Sequence, residues 1–210
     1  MIVVNFKAYS EAAGEKARQL SERCAEVADE TGEEVVVVPA HPDISRIGAV
    51  ETFSQHIDPV QPGSHTGHVT AEAARKAGAS GTLLNHSEKR MEQEDIEAAI
   101  ERAEENGLET IVCAKSPEEC AELSKLGPDY VAFEPPELIG GDVSVSEAEP
   151  ELIQEAVERS EAPVLTGAGI KDREDVEKSI ELGCEGVLVA SGVVKAEKPG
   201  EAARELCKGL

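Results

Sequence analysis

Residues 2–38 read IVVNFKAYSEAAGEKARQLSERCAEVADETGEEVVVV, and this stretch shows the pattern that decides the fold. It begins with an apolar run at residues 2–6 and ends with a second apolar run at residues 34–38. Between them, residues 11–31 place apolar side chains at helical spacing. Two parallel strands need a long connection, which a helix usually supplies. The stretch therefore predicts a strand, a helix and a second, parallel strand.

The same alternation continues to the end of the chain. Short runs rich in Val, Ile and Leu predict further strands at residues 53–57, 81–85, 110–113, 130–134, 164–166 and 186–190. Helical periodicity lies between these runs, most clearly at residues 150–160. Eight strands, each followed by a helical segment, favour a closed (β/α)8 barrel of the TIM-barrel type over an open sheet.

The length of the chain and the positions of its Pro and Gly residues indicate one folding unit. A chain of 210 residues is short for such a barrel but can bury one sizeable core. Pro and Gly stand singly at turns, and no linker rich in Pro, Gly or Ser divides the sequence. We therefore expect a single barrel domain over residues 1–210, in a compact short form.

The charge balance is strongly acidic, with 43 Asp and Glu against 20 Lys and Arg and a net charge of −23. Such a surface repels nucleic acid and anionic membranes, so neither is expected as a partner. The acidic residues are spread along helical segments rather than gathered in a tail. We interpret them as an adaptation to high salt, in which ions screen the self-repulsion; the alternative is an acidic protein from an ordinary low-salt cell.

The remaining composition favours a cytoplasmic protein without a structural metal. Five cysteines without a Cys-x-x-Cys spacing predict neither a disulfide framework nor a zinc site. No apolar stretch reaches the roughly 18 residues of a membrane span, and no secretory signal is recognised at the start. His65 and His68 lie close in sequence, but no carboxylate or cysteine completes a ligand set there.

In a (β/α)8 barrel the active site lies at the carboxyl ends of the strands, where this sequence places Asn5, Lys7, His86 and Glu134. The first strand leads to Lys7, on the same side as Asn5, and a lysine there suits an anion. The fourth strand runs into His86 at the beginning of a helical turn, where a helix N-terminus would keep the imidazole neutral. The sixth strand ends in Glu134, and the Pro- and Gly-bounded segment 135–141 predicts a lid over this carboxylate.

Small residues end the last two strands, at residues 167–169 (Gly-Ala-Gly) and 190–192 (Ala-Ser-Gly). Their backbone amides can approach a phosphate group closely, so the two loops predict one phosphate cradle. Taken singly, the glutamate and the histidine are as compatible with structural roles as with catalysis, a lysine is more often a surface charge, and turns need glycine in any case. Only their joint order along the strands is specific.

That joint order resembles the triosephosphate isomerase family over essentially the whole chain, through Asn5-Phe6-Lys7, Asn85-His86-Ser87-Glu88-Lys89-Arg90 and Phe133-Glu134-Pro135. The short form of the chain is similar to the archaeal branch, and the acidic surface suggests its haloarchaeal members. The resemblance implies interconversion of dihydroxyacetone phosphate and glyceraldehyde 3-phosphate in glycolysis and gluconeogenesis, with no metal or organic cofactor. It also implies a homo-oligomer, a tetramer or a dimer, in which the third loop reaches a neighbouring subunit.

By residue match, the resemblance implies a role for each side chain. Glu134 corresponds to the base that carries a proton between two substrate carbons, and His86 corresponds to the neutral group that polarises the substrate oxygen. Lys7, beside Asn5, corresponds to the cation that holds the substrate. The positions that line the phosphate and the lid are Ile139, Gly169, Ala190 and Ser191.

The chain departs from the family pattern at Asn85, where many relatives have glycine, and at Asp142, which follows Gly140-Gly141 at the end of the lid. Glu88 or Arg90 is expected to pair with Lys7 or to brace a neighbouring helix. Cys113, at the end of the fifth strand, is interpreted as a core thiol.

Two other functions remain open from the sequence. One is a different phosphate-binding barrel, such as a phosphoribosyl isomerase or a ribulose-phosphate epimerase, because paired small loops after the last strands occur in many of them. The other is an acidic scaffold that has lost activity. The order of Asn5, Lys7, His86 and Glu134 argues against both.

Overall fold

Eight parallel strands close into a barrel in chain order in the computed structural model, which describes residues 1–135 and 145–210, without the side chain of Glu147. The strands are β1 (Ile2–Asn5), β2 (Val35–Val38), β3 (Glu51–Ser54), β4 (Gly81–Leu84), β5 (Glu109–Ala114), β6 (Tyr130–Phe133), β7 (Val164–Thr166) and β8 (Gly186–Val189). Pairing of β1 with β8, from Ile2 opposite Val187, completes the ring. The predicted closed barrel is confirmed.

Helices cover the outside of this barrel. They are α1 (Glu15–Thr31), α2 (Ala71–Ala77), α3 (Gln93–Glu105), α4 (Pro117–Leu123), α5 (Val145–Ala148), α6 (Pro150–Arg159), α7 (Arg173–Glu181), α8 (Ser191–Val194) and α9 (Pro199–Cys207). Short 3-10 turns lie at Ser10–Ala12, His41–Arg46 and Ser124–Leu126. Among the helices in the described part of the chain, none is long and apolar enough to cross a membrane.

Two packed layers hold the barrel together. Alternate strand residues fill the lumen with apolar side chains, among them Val3, Phe53, Leu83, Ile111 and Leu165. The other face of each strand packs against the helices. The filled lumen means that an open site can form only at the rim, where the strands end.

The first predicted helix, 11–31, is interrupted in the structure. A 3-10 turn ends at Ala12, and α1 starts only at Glu15, because Gly14 takes a left-handed backbone conformation with φ of 60°. The carboxylate of Asp43 accepts a hydrogen bond from the Gly14 N–H at 2.8 Å. A side chain distant in sequence therefore helps to fix where the helix begins.

The third strand lies two to three residues earlier than predicted, at Glu51–Ser54 instead of 53–57. The Gln55 side chain donates to the carbonyl oxygens of Val38 and Lys7, at 3.2 and 2.8 Å, directly after the strand ends. These bonds tie the end of β3 to the end of β2 and to the backbone just after β1, and the described pairing of β3 with β4 stops at Ser54. The other strands end within one residue of the predicted positions.

Candidate active site

Lys7 turns back toward the rim of the barrel directly after β1. Its backbone is left-handed, with φ of 47°, and its N–H donates to the Asn5 side-chain oxygen at 3.0 Å. The ammonium group lies 3.1 Å from the Glu88 carboxylate, and the Lys7 side chain is only 12% exposed. This ion pair is one of the expected pairings, and it holds a positive charge at the mouth of the barrel.

His86 is a buried, neutral imidazole with a defined tautomer. The Glu88 backbone N–H points at His86 Nδ1 at 3.2 Å. Because a backbone N–H can only donate, Nδ1 is the acceptor and the ring proton is assigned to Nε2. Burial lowers the pKa of the imidazole to about 4, with a further contribution from the Lys7 charge.

His86 begins a turn, as predicted, but the helix N-terminus that was expected to keep the ring neutral is not found there. Residues 86–89 form a single turn, closed by the Lys89 N–H donating to the His86 carbonyl at 2.7 Å, and the following helix α3 starts only at Gln93. A full helix N-terminus therefore does not begin at His86. The imidazole is neutral chiefly because it is desolvated.

The backbone conformation and hydrogen bonds of Asn85 explain why asparagine can stand where many relatives have glycine. Its φ of 58° is left-handed, a conformation that glycine adopts without strain and that asparagine tolerates better than most residues. The side chain is buried and each of its polar atoms is hydrogen-bonded, since Nδ2 donates to the Cys113 carbonyl at 2.9 Å and Oδ1 accepts from the Met91 N–H at 2.9 Å. Asparagine thereby ties the residue before His86 to strand β5.

Glu134 follows β6 directly and points into the rim. Its N–H donates to the Ala114 carbonyl at 2.8 Å, which extends the pairing of β5 and β6 by one residue. The side chain is buried, and Oε2 lies 3.7 Å from His86 Nε2. Within the described residues, this Oε2 has no hydrogen-bond partner. Burial raises the pKa of the carboxyl group to about 7, although the Cys113 thiol and the Lys7 charge oppose the rise.

A cavity of about 250 Å³, here called the glutamate cavity, joins these groups to the last two loops of the barrel. Reactive side chains and the small residues after β7 and β8 line it together. It brings together all but one of the site residues expected from sequence, namely Asn5, Lys7, His86, Glu134, Gly169, Ala190 and Ser191. The remaining one, Ile139, lies with most of the predicted lid and with Asp142 outside the described residues.

A second, wider cavity of about 530 Å³ opens on the other side of Lys7 and His86. Its wall comes from the loops after β2 and β3, including His41 and His56. His56 pairs with Asp58 at 3.2 Å, and burial lowers the pKa of its imidazole. In the part of the chain that the structure describes, no group of three or more His, Cys, Asp or Glu side chains is arranged to hold a metal ion.

Cys113 lies closer to the site than the sequence interpretation placed it. It is buried in β5, but its thiol interacts with the Glu134 carboxylate, and burial together with that carboxylate raises the pKa of the thiol well above its usual range. The strand register gives the reason, because Cys113 lies opposite Ala132 and Glu134 follows two residues later on the same face. Correct alternation and pairing of the two strands would have revealed the contact.

Arg90 braces the site from outside. Its guanidinium pairs with Glu119 in α4 and also donates to the Asn85 carbonyl at 3.2 Å. The second expected role for this segment, support of a neighbouring helix, is therefore also observed. Asn85 and Arg90 therefore anchor the two ends of the turn that carries His86.

The fold and the site together define a (β/α)8 barrel with a carboxylate and a neutral imidazole at the carboxyl ends of its strands, two groups suited to acid–base chemistry. The family model for triosephosphate isomerase matches residues 1–208. The triosephosphate isomerase of Methanothermobacter thermautotrophicus is 47% identical, with 98% of this chain and 93% of the relative covered. That of Methanopyrus kandleri is 48% identical over 100% of this chain and 97% of the relative. The chain belongs to the triosephosphate isomerase family and is an isomerase.

Proposed function

We propose that the glutamate cavity interconverts dihydroxyacetone phosphate and glyceraldehyde 3-phosphate by proton transfer through an enediolate. The observation that carries this proposal is the approach of Glu134 Oε2 and His86 Nε2 to 3.7 Å inside a buried pocket. An enediolate reaction needs a base at carbon and a proton donor at the neighbouring oxygen. Glu134 can serve as the base, and His86 can serve as the proton donor.

Glu134 acts as the base. An oxygen without a hydrogen-bond partner among the described residues is available to a substrate C–H. A pKa of about 7 lets the same carboxyl group accept a proton from one carbon and return it to the next near neutral pH. The group then ends the reaction in its starting state, so no cofactor is required for this step.

His86 and Lys7 stabilise the negative charge that develops on the substrate oxygens. The tautomer assigned above directs the Nε2–H of His86 toward the cavity, where it donates a hydrogen bond to the enediolate oxygen. Lys7 adds a fixed positive charge, which Asn5 and Glu88 orient. The donation requires a neutral ring, and burial of His86 provides it.

The phosphate group of the substrate is assigned to the part of the cavity that Gly169, Ala190 and Ser191 line, with Ile139 as a lid contact. Gly169 has a left-handed backbone with φ of 72°, and Ser191 opens the short helix α8. Such turns present backbone N–H groups to an anion. Segment 135–141 is assigned the exclusion of water, which would otherwise promote loss of phosphate from the enediolate.

The test is a coupled isomerase assay with glyceraldehyde 3-phosphate in molar KCl, comparing the wild type with Glu134→Asp. Shortening the base by one methylene withdraws it by roughly 1 Å, and we expect a loss in kcat of roughly a hundredfold or more. Glu109→Asp makes the same chemical change at the opposite end of the barrel and should leave kcat unchanged. An inactive wild type would redirect the assignment to another phosphate-binding barrel reaction.

We also propose that the enzyme is a homo-oligomer, a tetramer or a dimer, in a salt-rich cytoplasm of haloarchaeal type. The net charge of −23 supports the salt dependence, and the fully exposed segment 61–68 supports an intersubunit role for the third loop. Light scattering in molar KCl measures the mass of the assembly, and a monomer contradicts the oligomer. A protein that keeps its circular dichroism and activity after dialysis to low salt contradicts the salt dependence.

A further inference from the structure

Gly167 faces the Glu134 side chain from the neighbouring strand. It follows β7 directly, and its N–H donates to the Phe133 carbonyl at 3.0 Å, which places its α-carbon beside Glu134. A β-carbon added to Gly167 would lie 2.5 Å from Cγ, 2.8 Å from Oε1 and 2.9 Å from Cδ of Glu134. Non-bonded carbon atoms normally approach no closer than about 3.5 Å. The space that a side chain at 167 would fill is already taken by the glutamate.

Backbone conformation does not account for glycine at this position. Gly169, two residues later, has a positive φ of 72°, whereas Gly167 is not among the glycines with positive φ. An alanine could therefore adopt the Gly167 backbone without strain. What excludes a side chain is volume, and the three nearest atoms to the added carbon all belong to Glu134.

The steric clash involves the Glu134 side chain near its backbone and not only its flexible end. Because the closest atom is Cγ, relief requires rotation about the Cα–Cβ bond of Glu134, which moves the whole carboxyl group. The present conformation is buried and is bounded by the Cys113 thiol and by His86. A rotated side chain would leave these neighbours.

We propose that Gly167 is a positioning residue, whose missing side chain admits the buried conformation of Glu134 that faces His86. The inference rests on the proposed function, because it concerns the group assigned as the base. Gly167 itself contacts no reacting atom in this role. It acts only by leaving room for the Glu134 carboxyl group in this position.

Gly167→Ala should consequently separate catalysis from substrate affinity. We expect kcat to fall by roughly a hundredfold, as for a base displaced by about 1 Å, while KM changes by less than about threefold, because Gly169, Ala190 and Ser191, to which the phosphate is assigned, are unchanged. The acid limb of the pH profile should also move from about 7 toward the ordinary value of 4.5, because the displaced carboxyl group loses the burial that raises its pKa. A merely structural defect would not move this limb.

A double-mutant cycle tests the contact without relying on activity. Gly167→Ala should lower the Tm of the wild type but not that of Glu134→Ala, in which the atoms beyond Cβ are gone and the space is free. Gly48→Ala is the control, since Gly48 is exposed, has no positive φ and has no atom within 4 Å of an added β-carbon. It should leave kcat and Tm unchanged.

The two proposals fail in different ways. Equal losses of Tm in both backgrounds, or a Gly167→Ala enzyme with kcat within twofold of the wild type, would overturn the positioning role. An inactive wild type overturns the proposed function alone, and the Tm cycle then still decides the steric contact between Gly167 and Glu134.

Discussion

Replacing Glu134 with glutamine should change how the stability of the fold depends on pH. Burial raises the pKa of this carboxyl group from 4.5 to about 7 in the folded protein. Between these two values the unfolded chain has released the proton and the folded chain still holds it. Stability therefore falls as the pH rises, since the folded state binds more protons. The contribution is complete below 4.5 and is lost above about 7.

The magnitude follows from the two pKa values. At about 1.4 kcal/mol for each pH unit, the rise from 4.5 to about 7 corresponds to about 3.5 kcal/mol. Most of this loss, about 2.5 kcal/mol, falls between pH 5 and pH 8. Glutamine does not titrate, so Glu134→Gln escapes the loss. Any cost of burying the amide is the same at both pH values and cancels when they are compared.

The assay is thermal unfolding of both proteins in molar KCl between pH 5 and pH 8. For a chain of this size about 1 kcal/mol shifts Tm by about 2–4 °C. The Tm of Glu134→Gln relative to the wild type should therefore rise by about 5–10 °C across this range. The exposed Glu161→Gln controls for the removal of one negative charge. A difference in Tm that stays constant from pH 5 to pH 8 would refute the reasoning, because it would mean that the buried carboxyl group does not titrate with a raised pKa.

Further predictions concern the residues around this carboxylate. Asn85→Ala should lower the free energy of unfolding by about 2–4 kcal/mol, measured in urea, since two buried hydrogen bonds are lost and alanine is strained at φ of 58°. Asn85→Gly should lose about 1 kcal/mol less, and equal losses would argue against the backbone term. Lys7→Gln should lower kcat/KM at least tenfold while Lys208→Gln, the same charge change at an exposed site, does not; equal falls would point to net charge instead. The kcat/KM profile should rise through about pH 7 and keep this limb in His86→Gln, because ionisation of Glu134 causes it; a limb that disappears with His86 would contradict the assignment.

The order of the elements and the position of the site were readable from the chain. Apolar runs such as 35–38 and 186–189 are buried on both faces of a parallel sheet, so their composition alone marks them as strands. The carboxyl ends of these strands meet at one rim, and for this reason Lys7, His86 and Glu134 could be placed in one site before any distance was known. Local composition and chain order carry this information.

Boundaries and protonation states depended on contacts between distant residues. Gln55, directly after β3, binds the carbonyls of Val38 in β2 and of Lys7, and Asp43 helps to fix the start of α1. His86 was expected to be neutral, but through a helix N-terminus that the structure does not place there. Burial of the imidazole lowers its pKa, and burial is a property of the folded barrel that no local sequence pattern contains.

The sequence by itself determined the barrel, its rim and the kinds of side chain at the rim. The reason is that apolar strand segments alternate with helical segments along the chain, and this pattern can be read without knowing any long-range contact. Only the tertiary structure decided that Glu134 and His86 approach to 3.7 Å, that the Cys113 thiol touches the carboxylate, and that Gly167 leaves the space in which the carboxylate lies. Each of these depends on the register and closure of neighbouring strands. A shift of one residue in that register would turn the same side chains to the other face of the sheet.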